Sequence, residues 1–178
     1  MICIKKEFAP FRKNFIIALL GILCSPALLN AQIPWKSNLP ETPPLKIYAE
    51  FDTFPAAPGA LVTLIVRGFI EPGWHIYSTQ DQGEDAPPPT TITYRNSAHQ
   101  KIGTLQESAP EVIEDQALNL RLAVHKNEFI FRQQFKISMR SPDTMQDFEG
   151  DLHFQMCDNK ICTPHQVQSF ATPLTIEN

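Results

Sequence analysis

The chain has 178 residues, with 15 Lys and Arg against 19 Asp and Glu, a formal net charge of −4 and 43% hydrophobic residues. That length bounds it to one domain with room for a core, and the acidic balance argues against nucleic acid or an anionic membrane surface as partner. Sixteen prolines against seven glycines, with no repeat of 20 to 50 residues, suit short strands joined by turns.

Residues 1–31 read as a secretory leader. Lys5, Lys6, Arg12 and Lys13 form a basic start, and Phe15 to Leu23 is an apolar run of nine residues, too short to span a bilayer. Leu29-Asn30-Ala31 offers a small residue before a cut that leaves Gln32 first. Cys24 raises a lipoprotein reading, but bulky Leu23 stands where such a signal takes a small residue. Removing the leader takes four basic residues and one acidic residue from 15 and 19, leaving 11 against 18 and a net charge near −7. Cys3 and Cys24 leave with it, so an oxidising export compartment receives one cysteine pair. No second hydrophobic segment follows, so no membrane insertion is expected after cleavage, and the chain is expected in the periplasm or secreted.

Residues 32–44 are a Pro-rich, flexible lead-in, and residues 45–178 are the domain. Leu45 to Phe51 alternates as a strand. Leu61 to Phe69 carries Val62, Leu64 and Val66 on one face and Leu61, Ile65 and Phe69 on the other, which predicts a central strand buried on both faces. Glu71-Pro72-Gly73 is a turn, and Trp74 to Ser78 resumes extended structure. Its alternation puts Trp74 and Ile76 in the core, with His75 and Tyr77 on the other face. Asp81 to Pro89 is a proline-stiffened loop, and Thr90 to Tyr94 a β-branched strand. Gly103 to Ala117 is acidic, proline-interrupted and aperiodic, which predicts a long surface loop. Leu118 to Val124 and Phe129 to Ile137 are strands about a Lys126-Asn127 turn, with Phe129, Phe131 and Phe135 facing inward. Leu152, Phe154 and Met156 alternate into Cys157, and Gln166 to Phe170 and Leu174 to Ile176 close the chain. Eight or nine short strands without a helical stripe predict an all-β, immunoglobulin-like antiparallel β-sandwich.

The chemistry concentrates at Cys157 and Cys162, five positions apart. A disulfide between them closes a small loop, which gains less stability than a long one. The flanks Asp158-Asn159 and Thr163-Pro164 suggest surface placement. Lys160 favours a thiolate and Asp158 opposes it, so no direction follows for the thiol pKa. Three readings stay open: a passive hairpin staple in a partner-binding sandwich, a redox-active pair, and a copper or zinc site drawing on Met156, His153 and His165 with the two cysteines. No hydrolase elbow, phosphate loop, metalloprotease helix or paired glycosidase carboxylates stand out.

The order of a strand, Pro72-Gly73-Trp74-His75-Ile76-Tyr77-Ser78, an acidic mid-chain loop, a phenylalanine-rich strand and Phe154-Gln155-Met156-Cys157-Asp158-Asn159-Lys160-Ile161-Cys162-Thr163-Pro164 resembles the N-terminal periplasmic domain of the thiol:disulfide interchange protein DsbD. The resemblance covers about Leu45 to Glu177. It implies an immunoglobulin-like fold and a thiol–disulfide oxidoreductase role in which one disulfide, Cys157 with Cys162, passes reducing equivalents between periplasmic partners. By resemblance, Cys162 forms mixed disulfides and Cys157 resolves them, with no organic cofactor and no metal. The resemblance also implies a cap loop, Glu111 to Asn119, with Glu114 and Asp115, and with Leu118, His75 and Tyr77 around the cysteines. Gln116, Ala117 and Leu118 stand where the family carries a cap aromatic. With one domain expected, the electron donor is expected in trans, as a thioredoxin-like or membrane-embedded thiol–disulfide reductase. The acceptors are expected to be periplasmic disulfide-containing proteins.

Overall fold

The computed structural model describes residues 43–95, 98–142 and 144–177. The leader, its cut site, Cys24 and residues 32–42 of the lead-in lie outside the described residues. Among the described residues there are eleven strands and no helix long and apolar enough to cross a membrane.

The strands are β1 (Leu45–Phe51), β2 (Leu61–Ile70), β3 (His75–Tyr77), β4 (Thr91–Arg95), β5 (Gln100–Glu107), β6 (Glu111–Asp115), β7 (Leu120–Lys126), β8 (Glu128–Lys136), β9 (Thr144–Phe154), β10 (Met156–Cys157) and β11 (Gln166–Ile176). They form three antiparallel sheets, in the orders β1-β2-β8-β5, β11-β9-β4 and β10-β3-β7-β6. The first two face each other as an immunoglobulin-like sandwich. Phe135 of β8 meets Tyr94 of β4 and Phe148 of β9 edge-on, each at 5.0 Å between ring centroids. Phe51 of β1 reaches the same Phe148 at 5.2 Å.

Strict alternation builds this core. On β2, Val62, Leu64 and Val66 are buried, as are Phe129, Phe131 and Phe135 on β8, and Val66 pairs with Phe131 and Val62 with Phe135. Each such side chain contributes about 1.5–3 kcal/mol through burial. Opposite them lie Leu152 and Phe154 of β9 and Leu174 and Ile176 of β11. Two glycines make room for rings. Gly68 pairs with Phe129 and Gly150 with Phe170, and in each a Cβ would collide with the partner's ring.

The structure corrects several expectations. The second face of β2 is not buried: Leu61 and Phe69 are exposed, because among the described residues no layer covers that side of the first sheet. The stretch expected as a loop from Gly103 to Ala117 is mostly strand, supplying the end of β5 and all of β6. Its period was hidden by a bulge, since β5 slips against β8 between Ile102 and Gln106. Gly103 sits there at φ +67, and the buried Gln133 amide donates to the Ile102 carbonyl at 2.7 Å. The two closing segments are one strand, β11. Pro173 does not break it because β11 lies at a sheet edge, where a missing N–H costs no ladder bond.

The third sheet forms where the chain changes layers. β7 joins the sandwich strand β8 through Asn127, at φ +61, and β9 gives way to β10 at Gln155. Its inner side adds Ile76 and Met156 to the main core. Its outer side carries a second, smaller cluster of Tyr77, Leu122, Val124 and Cys157, flanked by Ala86, Ile113, Leu120 and Cys162. Tyr77 lies, as alternation placed it, on the face opposite Trp74 and Ile76, and with His75 it is covered there. Both are buried, because the loop carrying Ala86 and the β6–β7 hairpin close over the outer side of β3.

Candidate functional site

The two cysteines stand opposite each other in a tight hairpin. β10 pairs with β3 so that Met156 faces Ile76 and Cys157 faces His75. The chain then turns and returns, and Cys157 and Cys162 form an antiparallel bridge pair joined by a disulfide with 4.1 Å between Cα atoms. Asp158 holds the turn: its Oδ1 accepts from the Lys160 and Ile161 amides, each at 2.7 Å. These bonds keep the Asp158 carboxyl below its ordinary range. Thr163 locks the hairpin's base, donating its N–H to the Met156 carbonyl at 2.8 Å and accepting the Met156 N–H on Oγ1 at 3.2 Å. Gln155 adds a bond from its amide to the Thr163 carbonyl. Composition had pointed to a surface pair. The sulfurs are in fact unequal: Cys157 is fully buried, at 0% exposure, while Cys162 is half-buried at the rim.

Against Cys157 lies a buried polar cluster that alternation alone does not disclose. Tyr77 Oη is 2.7 Å from Cys157 Sγ, 2.8 Å from Asp115 Oδ2 and 3.9 Å from Cys162 Sγ. The hydroxyl has one proton, so it serves the carboxylate or a sulfur, not both at once. The His75 ring donates from Nε2 to the same Asp115 Oδ2 at 3.0 Å. Asp115 Oδ1 accepts from the Ala117 and Leu118 amides at 2.9 and 3.1 Å, so both carboxylate oxygens are engaged. Burial pushes the Asp115 carboxyl pKa up. The bonds from Tyr77, His75 and the Leu118 amide outweigh it and hold the group below its ordinary value. Burial, and then Asp115 beside it, push the Tyr77 hydroxyl well above its ordinary 10.0. Tyr77 therefore keeps its proton, as a hydrogen-bond donor rather than a base.

The residues expected around the cysteines divide sharply. Asp115, His75 and Tyr77 come together at the disulfide. Glu114, one position away, is exposed, since successive side chains of β6 point to opposite sides. Leu118 sits in the β6–β7 turn at 36% exposure. That turn is anchored by Asp115's own carboxylate, and Asn119 closes it at φ +57. The ligand set of the alternative metal reading, Met156, His153 and His165 with the two cysteines, does not assemble. Met156 points into the main core, while the His153 ring bonds Thr93 Oγ1 at 2.9 Å and stacks on His165. Among the described residues, the His, Cys and carboxylate atoms close enough to share one ion are those of His75, Asp115 and Cys157.

A second buried carboxylate had gone unremarked in the sequence. Glu107, at the end of β5, accepts from Ser78 Oγ at 2.6 Å, the Thr79 amide at 2.9 Å and His125 Nε2 at 2.8 Å. It ties the first sheet to β7 and to the segment leaving β3. Burial raises its pKa, and the bonds from Ser78, Thr79 and His125 overcome that and lower it. Its only sequence signal was a Glu at the end of an irregular strand, which period counting passes over.

The comparisons with known proteins bear on this site. A family model described as the N-terminal part of the thiol:disulfide interchange protein DsbD matches residues 44–174. A search of curated proteins found no match. Among solved structures, the chain is similar to the Neisseria meningitidis DsbD N-terminal domain in the reduced form, at 17% identity and a TM-score of 0.44, covering 63% of this chain and 77% of that one. It is also similar to the N-terminal periplasmic domain of ScsB from Proteus mirabilis, at 16% identity and a TM-score of 0.49. That likeness covers 78% of this chain and spans 49% of the ScsB chain.

Proposed function

The chain belongs to the family of DsbD N-terminal domains, and from that premise we propose that it passes reducing equivalents between exported proteins through Cys157 and Cys162. The observation that carries this reading is the asymmetry of the disulfide, with one sulfur at the rim and the other against a buried hydroxyl that holds its proton.

In the proposed reaction a donor thiolate attacks the accessible Cys162 Sγ. The S–S bond breaks, a mixed disulfide forms, and Cys157 leaves as a thiolate. Tyr77 Oη, already 2.7 Å from that sulfur, turns its proton from Asp115 to the new anion. The donor's second thiolate then attacks its own sulfur in the mixed disulfide and releases Cys162. Two electrons have entered the chain, solvent returns to the two cysteines the protons that the donor shed in forming its thiolates, and the donor leaves oxidised. Delivery to an acceptor runs the same steps in reverse, with Cys162 attacking and Cys157 resolving. Asp115, Tyr77 and His75 act as the surround of the pair, and the β6–β7 turn as its cover. The leader features of residues 1–31 support export to an oxidising compartment, and a mature N-terminus at Gln32 by N-terminal sequencing tests that reading.

The decisive experiment is partner trapping. Cys157→Ser leaves Cys162 without a resolving thiol, so mixed disulfides with donor and acceptor proteins should accumulate and be recovered under non-reducing conditions. A reduction potential below about −300 mV, in the range of resistant structural bridges, would instead identify an inert staple in a partner-binding sandwich. Retention of biological activity by the double variant Cys157→Ser, Cys162→Ser would point the same way.

A further inference from the structure

We infer that the reduced chain carries a zinc site made of Cys157, Cys162, His75 and Asp115, absent while the disulfide is closed. The inference rests on the exchange reading only in requiring that the pair can be reduced.

The donor atoms of His75, Asp115 and Cys157 lie within 4.8 Å of one another, and all three residues are buried. Ligands around one tetrahedral zinc, at about 2.0–2.3 Å each, stand about 3.3–3.8 Å apart, so side-chain shifts of about 1 Å bring the three donors to that spacing. Cys162 Sγ is bonded to Cys157 Sγ in the oxidised chain and becomes a fourth donor once that bond opens. Thiolate, imidazole and carboxylate are each zinc ligands, and four of them complete the tetrahedral set that zinc takes. Orientation is built in as well. The backbone amides of Ala117 and Leu118 fix Asp115 through Oδ1, leaving Oδ2 directed at His75 and Tyr77, and outer bonds of this kind hold metal-ligating carboxylates in place. A zinc ion would take the place of the proton that His75 Nε2 now donates to Asp115 Oδ2, that proton moving to Nδ1 of the neutral ring.

Charge argues in the same direction. Opening the disulfide next to a buried carboxylate can place up to three anionic groups in a space where, among the described residues, no Lys or Arg hydrogen-bonds Asp115 or the sulfurs. Buried anions without a counter-charge are costly, and a divalent cation offsets them. The carboxylate favours zinc over Cu(I), which takes soft donors, and the one nearby thioether, Met156, is committed to the main core. The reaction balances simply. A dithiol reductant becomes a disulfide as Cys157 and Cys162 become thiols, and zinc then displaces their two protons. The coordinated Cys162 is unavailable for attack, so zinc would hold the reduced chain in reserve.

The test uses the full chain reduced anaerobically, freed of reductant, counted for thiols and titrated with Zn2+ against a chelator of known affinity. One zinc per chain is expected for the reduced protein and none for the disulfide form. Zinc should slow thiol exchange with a model disulfide, and chelator should restore it. His75→Gln should weaken zinc binding by at least about 100-fold, since even outer-shell losses cost 10–100-fold. X-ray absorption of the zinc-loaded wild-type chain should show two sulfur neighbours and imidazole scattering, a readout independent of how any variant folds. Two free thiols without zinc uptake, or a bound zinc lacking the imidazole signature, would overturn the site and leave the exchange reading standing. Thiols that stay blocked under strong reductant would overturn both.

Discussion

Tyr77 concentrates the chemistry of this fold in a single hydroxyl. It is buried, keeps its proton, and faces a carboxylate and a sulfur at nearly equal distances. A hydrogen bond to a charged group contributes about 1.5–3 kcal/mol, so its loss from the departing Cys157 thiolate should slow thiol exchange about 10- to 100-fold. Tyr77→Phe is therefore expected to leave the fold and the disulfide intact while lowering the exchange rate by that factor in stopped-flow thiol exchange. Glu107 makes a prediction of opposite kind, on stability rather than chemistry. Its pKa in the folded chain lies below the ordinary 4.5, so it stabilises the fold fully above that value. The stabilisation drains away as pH falls through 4.5 toward the lowered folded value. Urea midpoints measured down through this window should fall with pH, and Glu107→Gln should flatten that fall and cost about 1–3 kcal/mol at neutral pH. Alternation disclosed neither residue's role, and Tyr77's place beside the cysteines was an expectation of the family resemblance alone. Tyr77 read as one side of an alternating strand and Glu107 as one acid among many, because a buried hydrogen bond is set by what another segment brings, not by local pattern.

Among the elements, the Cys157–Cys162 hairpin and the glycine–phenylalanine pairs carry separate loads. The disulfide closes a loop of sequence separation five, worth about 2 kcal/mol in chain entropy against about 4.7 for a loop of 100 residues. Reduction should therefore leave the sandwich folded, with far-ultraviolet circular dichroism unchanged and the urea midpoint only modestly lower. The Gly68–Phe129 pair belongs to the main core instead. Gly68→Ala would drive a methyl group into the Phe129 ring, and overpacking of this kind costs about 1–3 kcal/mol, read as a fall in the denaturation midpoint without loss of exchange chemistry. Element existence was readable where one face is buried and the other wet. β1 came out with its expected ends, and β8 to within a residue, because Phe129, Phe131 and Phe135 alternate without interruption. β5 and β6 were missed because a bulge at Gly103 and Pro110 between them broke the period.

At the scale of the molecule, the proposed function rests on a third sheet added to a two-sheet sandwich. The sandwich buries the phenylalanines and sets stability. The third sheet has Ile76 and Met156 inward, and outward it carries a small second cluster built around the disulfide. This separation predicts opposite outcomes for the two cysteine variants. Cys162→Ser should trap few partners because its remaining sulfur, Cys157, is fully buried, whereas Cys157→Ser should trap them readily, and comparing the two on non-reducing gels checks the assigned order of attack.

The sequence by itself determined the all-β class, the antiparallel sandwich, the close spacing of Cys157 and Cys162 and the family, since each is written in local alternation or in an ordered motif. Only the tertiary structure decided that Cys157 is sealed and Cys162 accessible, and that Asp115 rather than Glu114 reaches the sulfur. It also decided that the face carrying His75 and Tyr77 is buried. The physical reason is distance along the chain. Asp115 lies 38 residues from Tyr77, and Tyr77 80 residues from Cys157, and such contacts depend on how the hairpin of β6 and β7 folds over β3, a choice that no local periodicity encodes.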